Sequence, residues 1–172
     1  MLGWNDIIVV SSVYLGALLT VILVLQPLQS LFFPNLDSGY SLLFLPSGVR
    51  ILAAWAYGFK SVVAIAPGAC IGHWLLQGQS GFTTDIVWTF VSGVVLAPAI
   101  MFMLSKAGVT GLRLASGELP CWKCLMIAGT VIAIANASIH LLVNNLSAFD
   151  AGGYIIGDVA GVFFFLIILI IG

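Results

Sequence analysis

Arg50 is the residue whose position in this chain calls for chemistry. It lies in LFLPSGVRILAAWAYGF, residues 43–59, four residues after Pro46 and two after Gly48. A charge at the centre of a membrane helix costs at least about 2.5–3.5 kcal/mol, so such a residue is functional by default. Other polar residues recur at helical spacing. Asn136, His140 and Asn144 follow one another at i, i+4 and i+8; Cys70, His73 and Gln77 form a second row, and Asp85, Thr89 and Ser92 a weaker third. Residues so spaced share one helix face. Asp158 lies in GGYIIGDVAG beside Gly153, Gly157 and Gly161, whose four-residue repeat marks a close-packing face. Gly68 and Gly72 make a second, shorter repeat of that kind. The chemistry these side chains offer is recognition. A guanidinium near a helix start attracts an anionic group, while imidazole, amide and carboxyl groups hydrogen-bond the remainder.

Such groups need a scaffold that keeps them from lipid, and the composition names it. Of 172 residues, 62% are hydrophobic and 6% are charged. Mean hydropathy is +1.21. A soluble domain carries roughly 25% charged residues. The chain therefore reads as an all-α, polytopic membrane protein forming a single membrane-embedded domain, residues 1–172. A net charge of −1 and the lack of a basic run argue against nucleic acid as a partner. MLGWNDIIVV has neither a basic n-region nor a small-residue cleavage site, so the first apolar segment reads as a retained helix.

A spanning helix needs about 20 apolar residues. Six are expected, at 7–32, 42–59, 61–79, 84–105, 122–146 and 153–172, with helix two starting late or broken near Pro46–Gly48. Lys60, Lys106, Arg113 and Lys123 then fall on one side, and Asp37, Asp85 and Asp150 on the other. The positive-inside rule makes the basic side, and both termini, cytoplasmic. Counting inward at about 1.5 Å per residue puts Arg50 near mid-membrane and His73 at or just outside it. Asn136, His140 and Asn144 run outward from mid-depth, and Asp158 lies one or two turns inside the outer surface.

The expected site is an outward-facing pocket formed by Arg50, His73, Asn136, His140, Asn144 and Asp158, with no catalytic residue, metal or cofactor. A structural ion pair between Arg50 and Asp158, or a histidine hydrogen bond between helices, is the alternative. Two histidines with no third ligand make a poor metal or haem site, and Ser80 and Ser92 lack the setting of an intramembrane protease. CWKC, residues 121–124, reads as two small thiols at a helix start, with a redox pair or half a zinc site as the other readings.

LPSGVRILAAWAYGFKSVVAIAPGACIGHWL (45–75) and GDVAGVFFF (157–165) resemble the MASE1-type integral membrane sensory domains of bacteria. The matching positions are Pro46, Gly48, Gly58, Lys60, Gly68, Gly72, Gly157, Asp158 and Gly161. The resemblance implies a multi-pass sensory or ligand-binding domain of the bacterial inner membrane, acting through a signalling enzyme. That family has about eight helices against the six expected here, often has an apolar residue where Arg50 stands, and usually carries an output domain, none of which follows Gly172. Two other functions share the architecture: a substrate-binding or accessory subunit of an energy-coupling-factor-like transporter, docking through small residues such as Ser12 and Gly16, and a scaffolding subunit of a larger membrane complex.

Overall fold

The computed structural model describes residues 3–32, 41–77, 84–112, 121–144 and 147–171, and every regular element among them is helical. Helix α1 (Trp4–Thr20) runs through a π turn, Val21–Leu25, into α2 (Gln26–Phe32). Pro27 has no N–H, and its ring presses on the carbonyl four residues back. The widened turn just before it accommodates that defect. Helix α3 (Leu45–Tyr57) is followed by a 3-10 turn, Gly58–Lys60, and then by α4 (Ser61–Gln77), α5 (Thr84–Lys106), α6 (Trp122–Asn144) and α7 (Ala148–Ile171).

Four apolar helical stretches are long enough to cross a membrane: Trp4–Phe32, Leu45–Leu75, Trp122–Val143 and Phe149–Ile168; Phe90–Lys106 is a shorter apolar helix. Large side chains such as Ile8, Leu23, Trp74 and Leu142 point outward from these helices. Such a surface suits a bilayer, and the chain is a membrane protein. The stretch Leu45–Leu75 is not one rod. Gly58 takes φ 56°, and the chain doubles back there, so that the start of α3 and the end of α4 line one cavity.

Helix α3 is the hub. It packs against α1, α4, α5, α6 and α7. At 13 residues it spans only about 20 Å, short of the roughly 30 Å hydrocarbon core. It starts at Leu45, with Pro46 in its first turn, where a missing N–H costs nothing. The helix is thus late rather than broken: it runs without interruption past Pro46 and Gly48. Non-helical residues 41–44 precede it, held by a hydrogen bond from the Phe44 N–H to the Gly157 carbonyl (2.9 Å).

Glycines set the close approaches. A Cβ on Gly157 would run into the Ser41 carbonyl, and one on Gly161 into the Phe44 carbonyl. The repeat on α7 is therefore the bed for the segment entering α3. In the same way a Cβ on Gly68 would meet the Ser11 carbonyl of α1, where Ser11 Oγ also donates to the Ala64 carbonyl at 2.7 Å. One apolar core joins Ile51, Ala97, Leu125, Ala128 and Val162; a second joins Tyr14, Val49, Ala53, Ile65 and Val94.

Candidate functional site

The helices leave a partly enclosed cavity of about 330 Å³ at the end of the bundle where α3 begins. The first rod supplies Tyr14, Leu18, Val21, Ile22 and Gln26, so the π turn is part of the wall. Ser41 and Phe44 come from the segment before α3, and Arg50 from α3 itself. His73 comes from α4, Phe90 and Gly93 from α5, Asn136 and His140 from α6, and Tyr154 and Asp158 from α7.

Arg50 is held on three sides. Its Nη2 donates to the Tyr14 hydroxyl at 3.0 Å. Its guanidinium carbon lies 5.7 Å from the Tyr14 ring centre and 5.4 Å from that of Phe44, within cation–π range. Gly93 gives it room, since a Cβ there would stand 3.2 Å from Nη2. Its Nε is buried without a hydrogen-bond partner. Among the described residues no carboxylate forms an ion pair with it. The Arg50–Asp158 pair anticipated as an alternative is not made, although both residues line the cavity.

Asp158 is 5% exposed; it attracts Arg50 without direct contact, and its hydrogen bonds run elsewhere. Its Oδ2 accepts from Asn136 Nδ2 at 3.0 Å, and Asn136 Oδ1 accepts from Ser92 Oγ at 3.4 Å. This chain links α5, α6 and α7. The Asp158 backbone carbonyl accepts from Ser47 Oγ at 2.7 Å, which ties α7 to the first turn of α3. His140 stacks on Tyr154, with ring centres 4.9 Å apart and planes 12° from parallel. His73 presents a buried Nε2 without a hydrogen-bond partner.

Of the six residues expected to converge, Arg50, His73, Asn136, His140 and Asp158 do. The Asn144 side chain lies outside the described residues, as do those of Gln77, Asp85 and Thr89, and residues 37, 80 and 113. The row on α4 does not hold at Cys70, which is exposed on the outside of the bundle. Tyr14, Phe44, Gly93 and Tyr154 escaped the sequence reading. Aromatic and glycine residues are common in membrane helices, and only their position around a charge gives them meaning. The two thiols of CWKC are joined: Cys121 and Cys124 form a disulfide, so the reading of two separate thiols is corrected. Among the described residues no three histidine, cysteine or carboxylate side chains gather as a metal-binding group.

A cavity with these walls can take a small anion against Arg50, an aromatic or apolar body along Phe44 and Phe90, and hydrogen-bonding groups toward His73, His140 and Asn136. Compared with family models, with curated proteins and with solved structures, the chain gives no match.

Proposed function

We propose that this chain is a non-enzymatic, membrane-embedded ligand-binding domain of sensory type, which takes a small anionic molecule at Arg50 and relays its occupancy to a partner protein. The observation that carries the reading is the state of Arg50. Arg50 lines a cavity of about 330 Å³, its Nε is buried without a hydrogen-bond partner, and among the described residues it closes no direct ion pair with a carboxylate, Asp158 attracting it only at longer range. A buried polar group left without a partner costs about 1–3 kcal/mol, and more if charged. A structural arginine would be expected to close on its counterion within the protein, and Arg50 does not close on Asp158. Here the aromatic faces and one hydroxyl leave room for an anion from outside.

The proposed setting is a bacterial inner membrane crossed six times, with α3 and α4 as separate crossings and both termini in the cytoplasm. Lys60, Lys106 and Lys123 would lie on the cytoplasmic side and the cavity would open opposite to them. The likeness of residues 45–75 and 157–165 to MASE1-type sensory domains supports the signalling assignment. These two segments also make the tight contact of α3 on α7, at Gly48 and Gly161.

Native mass spectrometry of protein extracted from its own membrane tests the proposal. A small anionic molecule should accompany the wild-type chain and be lost from Arg50→Gln. Equal content in both, or none in either, would reject it.

One observation favours a second reading, that of a carrier subunit. Ser12 and Gly16 on α1 are exposed, and a Cβ on Gly16 would meet no atom within 4 Å. Small residues left open in this way suit a docking helix. A carrier subunit would purify with an ATPase, and a sensor with a signalling enzyme.

A further inference from the structure

We propose that Cys121 and Cys124 form a redox-active couple that exchanges electrons with a soluble dithiol, at a site separate from the cavity. The two cysteines lie at the start of α6, bonded to each other, with Cα atoms 5.1 Å apart. Along α6, Cys124 stands about 18 Å from Asn136.

A staple is a poor account of this bond. It encloses only Trp122 and Lys123, and the stabilisation a disulfide gives grows with the loop it closes. Helix α6 is already 23 residues long and packed against α5 and α7. Access favours exchange. Both cysteines are only half-buried, and Trp122 and Lys123 between them are exposed. The Lys123 ammonium lies 5.5 Å from the Trp122 ring centre, giving an incoming thiolate a cation beside an apolar face.

The local backbone distinguishes the two sulfurs. The Cys124 N–H donates to Cys121 Sγ at 3.2 Å, and the positive end of α6 lies beneath it. Both stabilise a thiolate on Cys121. A stabilised thiolate leaves faster, so the attacking thiolate of the dithiol strikes Cys124 Sγ. The Cys121–Cys124 bond breaks, Cys121 departs as thiolate, and a mixed disulfide forms on Cys124. The second thiol of the dithiol then displaces Cys124 and the reagent leaves as a disulfide. Two electrons and, after protonation, two protons have passed to the protein. Gly111, at φ 72°, brings the preceding loop against this pair: a Cβ there would stand 2.7 Å from the Cys121 Cβ.

The full chain carrying Cys70→Ser, folded in its membrane, tests the couple. After treatment with dithiothreitol, acid quenching and denaturation, a maleimide reagent should add two labels, against none without reductant. Glutathione mixtures should move the protein reversibly between the two forms. Two labels without reductant, or a bond that yields only after unfolding, would overturn the proposal. Single-thiol variants provide a second measurement. Cys121, left alone by Cys124→Ser, should react with iodoacetamide about tenfold faster than Cys124 left alone by Cys121→Ser; equal rates would remove the assigned order of attack.

Discussion

Arg50 and Gly93 fit one another: the guanidinium lies where a side chain on the facing helix would stand, with Nη2 3.2 Å from the position of a Cβ. The seat of the charge is therefore made by an absence on α5 as much as by Tyr14 and Phe44. At that separation the neighbour must yield by a few tenths of an ångström, which a side-chain terminus can do. Gly93→Ala should therefore leave anion binding within a few-fold of wild type. Gly93→Leu needs the whole volume and should displace the guanidinium. It should weaken binding of the co-purifying anion about ten- to hundredfold, the range of a charged hydrogen bond, and as much as Arg50→Gln does. Equilibrium binding of that anion to refilled protein measures both.

The contacts of Gly157 and Gly161 differ in kind, because a Cβ at either would meet backbone carbonyls that cannot rotate away. Alanine at either position should force α7 off the segment 41–44. Overpacking typically costs about 1–3 kcal/mol, which should appear as lower thermal stability in detergent. Gly152 on the same helix is the control. A Cβ there meets nothing within 4 Å, and Gly152→Ala should be neutral or stabilise by about 0.5–1 kcal/mol through helix propensity. Equal gains at all three would show that helix propensity outweighs the close contacts at Gly157 and Gly161.

Most of this scaffold was legible in the sequence because hydrophobic runs and turn residues mark membrane helices strongly. The spacing of Asn136 and His140 put them on one face, and the glycines beside Asp158 implied its burial; both inferences needed only helical period. Three features were not legible for physical reasons. The choice between a late and a broken start of α3, which Pro46 and Gly48 left open, depends on non-helical residues 41–44 finding a bed on α7, a long-range contact that no local pattern carries. The π turn at Val21–Leu25 is a response to Pro27 whose form local sequence does not fix. Tyr14 and Phe44 flank Arg50 because α1 and the entry to α3 meet there, and an aromatic residue in a membrane helix carries no mark of what it faces. Cys70 failed for the opposite reason: it is close in sequence to His73 but one step too far around α4, on the outer surface.

Asn136 and Asp158 should behave as a unit. The amide donates to the buried carboxylate at 3.0 Å and is itself engaged by Ser92. Removing Asn136 alone strands the carboxyl group, so Asn136→Ala should destabilise by about 1–3 kcal/mol. With Asp158→Ala already present, the same substitution should cost much less. A double-mutant cycle on thermal or denaturant unfolding should therefore return a coupling of about 0.5–3 kcal/mol. Additive losses would mean that the two side chains are held by other contacts and the bond adds little.

Access to the cavity is the remaining consequence of the proposed orientation. Gln26 lines the cavity, whereas Lys106 ends α5 and is exposed. In a background carrying Cys70→Ser, Cys121→Ser and Cys124→Ser, cysteine placed at each position can be challenged with a maleimide that does not cross lipid. Right-side-out vesicles should label Gln26→Cys and spare Lys106→Cys, and inverted vesicles should do the reverse. A saturating anion bound at Arg50 should slow labelling at Gln26→Cys and leave Lys106→Cys unchanged, because only the former shares the cavity. Labelling of both positions from one side would require the two ends of the bundle to face the same compartment, and would refute both the six crossings and the outward opening.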